Sequence, residues 1–148
     1  MSYFTHCLFY FILFFLSHSA VGSHCIDSDY VSAASAASHP DLQALLDLYN
    51  ATNGSSWTTN TGWIDGVAGT NCDPCDGTWH GIVCDANNRV NQLLLSGNNL
   101  SGEIPNTIDE LTEVVNLWLF QNNLTGEIPI EIGNMSNMLS LALYKNSL

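Results

Sequence analysis

Positive charge is almost missing from this sequence. Of 148 residues only Arg89 and Lys145 are basic, against fourteen acids, for a net charge of -12. A surface of that sign repels phosphate backbones and anionic lipid headgroups, so nucleic acid and a bare acidic membrane are excluded as partners. The acidity is not that of a disordered chain, because only 11% of residues are charged while 46% are hydrophobic. Long apolar runs are scarce as well. Leu8 to Leu16 is an unbroken one, about half of the roughly 20 residues that a spanning helix needs. Catalytic motifs are also missing. There is no Gly-x-Ser-x-Gly and no phosphate loop, and His24, His39 and His80 have no nucleophile at a recognised spacing. Asp109 and Glu110 read as a solvated pair. The chain is therefore expected to be non-enzymatic, with no cofactor and no metal.

What is present begins with a targeting segment. The apolar run is followed by small and polar residues, and Ala20-Val21-Gly22 suits a signal peptidase, which predicts a signal peptide over 1–22. Its amino-terminal part carries only the terminal amine and His6, so an uncleaved signal anchor is the alternative. Export changes how cysteine is read. Cys7 leaves with the signal, and Cys25, Cys72, Cys75 and Cys84 remain, an even number for which two disulfides are the default. Cys72-x2-Cys75-x4-His80-x3-Cys84 is one residue short of a zinc-knuckle spacing. Export, the orphaned Cys25 and the hostile charge weigh against that metal.

A helix is expected to open at Ser38-His39-Pro40-Asp41, with Ser38 as cap, Asp41 three residues on as in a capping box, and Pro40 in the first turn. Leu42, Leu45, Leu46 and Tyr49 share one face, and the helix stops near Asn50 to Gly54. From Trp57 to Cys84 the chain is loop-rich and holds Trp57, Trp63 and Trp79. Asp65, Asp73, Asp76 and Asp85 fit no calcium-loop spacing and read as solvated turn acids.

The rest is repetitive. Asn98-Asn99-Leu100-Ser101-Gly102-Glu103-Ile104-Pro105 returns as Asn122-Asn123-Leu124-Thr125-Gly126-Glu127-Ile128-Pro129, an offset of 24 residues. Val90, Val114 and Met138 keep the same offset, as do Leu93, Leu117 and Leu141, then Leu95, Leu119 and Leu143, then Asn98, Asn122 and Asn146. A period of this length predicts a solenoid. The two Leu of each x-Leu-x-Leu-x run point to one side of a strand and fill a core that is completed by stacking on the neighbour. The Asn sits where the chain leaves the strand, and its amide can satisfy backbone groups that no ladder reaches. Ile104, Ile108 and Leu111, with Ile128, Ile132 and Met135, are expected to close each coil on the far side.

These residues resemble the plant-type leucine-rich repeat, L-x-x-L-x-L-x-x-N-x-L-[ST]-G-x-I-P-x-x-I, from Val90 to Leu148, with Met135 where Leu is usual. Trp79-His80-Gly81-Ile82-Val83-Cys84 resembles the Trp-x-Gly-Val-x-Cys ending of the amino-terminal cap of such proteins. The resemblance implies an α/β solenoid with a 24-residue period, parallel strands on the concave face and a helical, disulfide-bonded cap. The expected divisions are signal 1–22, cap 23–89, and repeats 90–148 (two full, one partial). It also implies the pairings Cys25–Cys72 and Cys75–Cys84, although Asp73 and Pro74 separate two cysteines that are often adjacent in the family. The function implied is an extracellular module that binds a protein, peptide or glycan without catalysis. The alternative is the amino-terminal ectodomain of a membrane receptor-like protein or receptor-like kinase. A small secreted hydrolase is disfavoured by the missing motifs. Localisation is then secreted, or on the extracellular face of the plasma membrane.

On such a solenoid the strands expose Asn91, Gln92, Leu94 and Ser96, then Asn116, Trp118, Phe120 and Gln121, then Ser140, Ala142, Tyr144 and Lys145. Of these, Gln92, Leu94, Asn116, Trp118, Phe120 and Tyr144 are the expected ligand-binding set. Large aromatics on a solvent face mark recognition sites. A competing explanation is that an aromatic after the second Leu packs along its column. Trp118 is placed beside Phe120 and diagonal to Tyr144. Glycan acceptors are expected at the sequons Asn50, Asn53, Asn99, Asn123 and Asn134. The sequence stops before the Gly-x-Ile-Pro half of the third repeat, so a fragment of a longer protein is expected, with Leu141, Leu143 and Leu148 facing water on one side.

Overall fold

The computed structural model describes residues 39–63 and 73–148. The expected signal peptide, Ser38, Cys25 and Cys72 lie outside those residues. The chain forms helix α1 (Leu42–Ala51), strand β1 (Ile82–Cys84), and then a sequence that repeats. Strand β2 (Val90–Leu94) is followed by the short β3 (Ser101–Gly102) and a 3₁₀ turn (Asn106–Glu110). The second coil gives β4 (Asn116–Trp118), β5 (Asn123–Leu124) and a 3₁₀ turn (Ile130–Asn134), and β6 (Ser140–Ala142) opens the third. Among the described residues no helix is long and apolar enough to cross a membrane.

The main sheet runs β1-β2-β4-β6, with β1 antiparallel to β2 and the other pairs parallel. Gln92 pairs with Asn116 and Asn116 with Ser140, so each step along this ladder spans the 24-residue offset. Its buried rows are Val90, Leu93 and Leu95 in one coil and Val114, Leu117 and Leu119 in the next. The second ladder departs from that offset. Ser101 pairs with Asn123 and Gly102 with Leu124, two residues short of the repeat. A shift by two keeps every side chain on its own face, so the stagger costs no burial. Strand β1 lies in what reads from sequence as loop, and it covers the sheet edge that β2 would otherwise expose.

The segment before the repeats adds an aromatic group to the core. Trp63, fully buried, lies 4.8 Å from Trp57, 5.1 Å from Trp79 and 6.0 Å from Tyr49 between ring centroids. Two of the polar tips donate to backbone, Trp57 Nε1 to Thr52 O at 3.0 Å and Trp63 Nε1 to His80 O at 2.9 Å. Helix α1 buries Ala44 and Leu48 beside the predicted Leu42, Leu45, Leu46 and Tyr49, a wider face than the sequence pattern marks. It packs on the Asn106–Glu110 turn, where Thr107 Oγ1 donates to Asp47 Oδ2 at 2.9 Å. The carbonyl of Ala51 occupies the space where a Cβ on Gly102 would stand, at a positive φ of +119°, so this position needs glycine.

Two expectations are corrected. Asp41 is the residue before the first helical turn, and its side chain caps nothing there. The carboxylate is instead buried against the first repeat, where Arg89 and the Val90 N–H hold it. A pair of charge-assisted bonds to a guanidinium outcompetes one bond to a backbone amide. Ile128 does not close its coil, being 48% exposed, whereas its counterpart Ile104 is 4% exposed. Ile104 lies between the cap helix and the second coil.

Candidate functional site

Each repeat positions its outward side chains through the residues that point inward. Asn122 anchors the exit from β4. Its Nδ2 donates to Leu95 O and Leu119 O, both at 2.9 Å, and its Oδ1 accepts from Asn98 N at 2.9 Å and Leu100 N at 3.0 Å. Asn146 repeats this, donating to Leu119 O and Leu143 O and accepting from Leu124 N. Asn98 has a cap loop as its neighbour and exchanges bonds with the backbone of Thr59. This ladder of amides carries the turn that Gly97, Gln121 and Lys145 make at positive φ, and it holds the strand ends in place.

The outward face of the strands then presents three rows. Gln92 lies beside Asn116 and Ser140, and Leu94 beside Trp118 and Ala142. Beyond the ladder, Phe120 and Tyr144 stack with centroids 4.6 Å apart and planes 10° from parallel. All six predicted ligand-binding residues therefore belong to one continuous patch. Gln92, Leu94, Asn116 and Phe120 are half-buried, while Trp118 and Tyr144 are 36% and 57% exposed. The stack supports the packing explanation for Phe120. The Trp118 indole leans away from Tyr144, since its Nε1 donates to Ser140 Oγ at 2.9 Å. That bond fixes the ring and leaves one face to solvent. Val83, 41% exposed and opposite Gln92 on β1, extends the patch toward the cap. It was missed with its strand, because Ile82, Val83 and Cys84 are all apolar and their half-buried, exposed, half-buried alternation shows only in the fold.

The remaining candidates fall elsewhere. Cys75 and Cys84 form a disulfide with Cα atoms 5.6 Å apart, so neither sulfur is available as a thiolate. His39, Asp73 and Cys75 bring their polar atoms within 4.8 Å of one another. The imidazole is committed, however, with Nδ1 accepting from the Asp41 N–H and Nε2 placed 2.8 Å from Asn88 O. His80, the knuckle histidine, is exposed and outside that group. The asparagines of all five sequons are exposed. Asn99, Asn123 and Asn134 nevertheless donate through Nδ2 to Ser56 O, Asn99 Oδ1 and Asp109 Oδ2.

The Leucine Rich Repeat family pattern matches residues 89–111 and 113–135, one coil each. The first two coils are similar to leucine-rich repeats. A probable leucine-rich repeat receptor-like protein kinase from Arabidopsis thaliana is 42% identical over 45 residues, which is 30% of this chain and 5% of the kinase. The leucine-rich repeat ectodomain of the receptor kinase SOBIR1 from Arabidopsis thaliana superposes with a TM-score of 0.53 at 26% identity, over 72% of this chain and 54% of that one. A leucine-rich repeat protein from Bacteroides eggerthii is 26% identical, with a TM-score of 0.46 over 72% of this chain and 15% of its own. This chain thus spans about half of the SOBIR1 ectodomain and a small part of the kinase.

Proposed function

We propose that this chain is a non-catalytic, extracellular recognition module whose concave strand face binds a protein or peptide partner, with a glycan as the other chemistry the face suits. One observation carries the reading. Trp118 stands exposed on a strand whose opposite face is locked by buried Leu117 and Leu119, and Tyr144 stands exposed in the next coil, held by its stack on Phe120. Rigid aromatics of this kind lose little freedom on contact and form the anchors of interfaces. The likeness to receptor-kinase ectodomains favours a more specific form, in which the chain is the amino-terminal part of a receptor-like protein on the outer face of the plasma membrane. A cleaved signal over 1–22, a Cys25–Cys72 bridge and glycans at Asn50, Asn53, Asn99, Asn123 and Asn134 belong to the same proposal.

The test starts with a partner captured from extracellular fluid on the immobilised chain, followed by affinity measurements on purified variants. Trp118→Ala and Tyr144→Ala are expected to weaken binding by about 2 kcal/mol or more each while leaving circular dichroism unchanged. Leu119→Ala, on the buried side of the same strand, is expected to cost about 2–5 kcal/mol of stability instead. Unchanged affinity in both aromatic variants, together with lost binding in Asp109→Ala on an outer turn, would place the site elsewhere.

A further inference from the structure

The two sulfurs of the Cys75–Cys84 bridge do not have equal surroundings. Cys75 stands in the Asp73–Asp76 turn and Cys84 ends β1, so the bond ties that turn to the strand beside β2. Both cysteines are half-buried, within reach of a small thiol. Each has an acid close in sequence, Asp73 for Cys75 and Asp85 for Cys84. A histidine separates them. His39 Nε2 lies 3.3 Å from Cys75 Sγ, and among the described residues none hydrogen-bonds to Cys84 Sγ. The tautomer follows from the other ring nitrogen. Nδ1 accepts the Asp41 N–H at 3.2 Å, so it holds a lone pair and the ring proton sits on Nε2. That N–H is shared between Asn88 O at 2.8 Å and the sulfur. The ring is also held in place. Its side chain is 5% exposed, with the Asp41 carboxylate 3.9 Å from Nδ1 and that of Asp73 4.0 Å from Nε2. Asp73 in turn faces backbone, its Oδ1 accepting from the Cys75 N–H at 2.8 Å. When a thiol cleaves a disulfide, the sulfur that better bears negative charge is the one that leaves. An N–H donor fixed on one sulfur decides which that is.

We propose that the bridge is a thiol-exchange site, opened by a small thiol that attacks Cys84 and expels Cys75. The attacking thiolate bonds to Cys84 Sγ as the bond between the two cysteines breaks, and its electron pair leaves on Cys75 Sγ. The new thiolate takes the hydrogen bond from His39 Nε2 and is then protonated by solvent. In this step the thiol is oxidised into a mixed disulfide on Cys84 and Cys75 is reduced. A second thiol then releases Cys84 as a free thiol and departs with the first as their disulfide. Opening detaches the Asp73–Asp76 turn from β1, while the pairing of β1 with β2 rests on backbone bonds and persists. The site shares no residue with the aromatic patch on the strands, so it is a separate property of the chain.

The probe is reduced glutathione added to the full oxidised chain. Free thiols are blocked with N-ethylmaleimide after short times, and the peptides are mapped by mass spectrometry. Glutathione is expected on Cys84 and maleimide on Cys75, in at least about fivefold excess over the reverse. This measurement uses the wild type, so it decides the matter even if a variant fails to fold. His39→Ala, with circular dichroism unchanged, is expected to slow reduction of this bridge by dithiothreitol at least about fivefold and to even out the two attachments. Glutathione mainly on Cys75, equal attachment to both cysteines in the wild type, attachment to neither, or a folded His39→Ala variant reduced within about twofold of the wild-type rate would each overturn the proposal.

Discussion

Asp41 is fully buried, and its charge is answered by a side chain 48 residues away. Arg89 donates through Nη2 at 2.6 Å and Nε at 3.1 Å, and the Val90 N–H adds a bond at 2.8 Å. The side-chain hydrogen bonding to Asp41 is the main reason that the guanidinium pKa lies above its ordinary value. Arg89→Met therefore leaves a carboxylate with most of its partners gone, and it should cost about 3 kcal/mol in urea denaturation at neutral pH. The double variant Asp41→Asn/Arg89→Met should recover part of that loss, which a cycle of the two singles would measure. A cost under about 0.5 kcal/mol for Arg89→Met would mean that the pair behaves as a surface contact. Asp85 makes a separate prediction. Its carboxylate accepts from the Arg89 N–H, the largest cause, and from Asn87, which holds its pKa below the ordinary 3.8. A depressed acid contributes stability that is fully present above the unfolded value and lost as pH falls through the folded one. The thermal midpoint of the wild type should thus fall more steeply below about pH 4 than that of Asp85→Asn. Parallel curves would show that the turn gains nothing from this charge.

At the scale of the element, the repeat was legible and the joints were not. Asn122 could be assigned from sequence because its role depends on local demands. The chain must leave a strand at that point, and an amide offers both donors and acceptors. Asn122→Ala should strip the partners of Leu95 O and of the Asn98 and Leu100 N–H groups at once, while Leu119 O keeps Asn146, costing about 3 kcal/mol in chemical denaturation. Asn122→Asp should fare no better, because a carboxylate cannot donate to Leu95 O and Leu119 O. A loss below about 1 kcal/mol would mean that water replaces the amide. Asp41 was misread for the converse reason. As a helix start it fits a local motif, and nothing local announces that Arg89 will claim it. Strand β1 escaped notice because its three residues become a strand only by pairing with β2. The outward rows followed directly from alternation, while the direction of the Trp118 ring depended on Ser140 in the neighbouring coil.

For the whole molecule, the question is whether cap and repeats unfold as one body. A single apolar cluster runs from Leu42 in the cap helix to Met135 in the second coil, with Trp63 and Trp79 joined to it. Solenoids divide their stability between units and the interfaces that join them. Because the cluster is unbroken, weakening the cap should be felt by the coils. Trp63→Ala removes the centre of the aromatic group and should cost about 3–5 kcal/mol. If cap and coils are coupled, the variant lowers hydrogen-exchange protection in β2 and β4 by nearly the same free energy as it does in α1. Should protection drop in α1 while β2 and β4 keep theirs, the cap would be a separate folding unit resting on coils that stand without it.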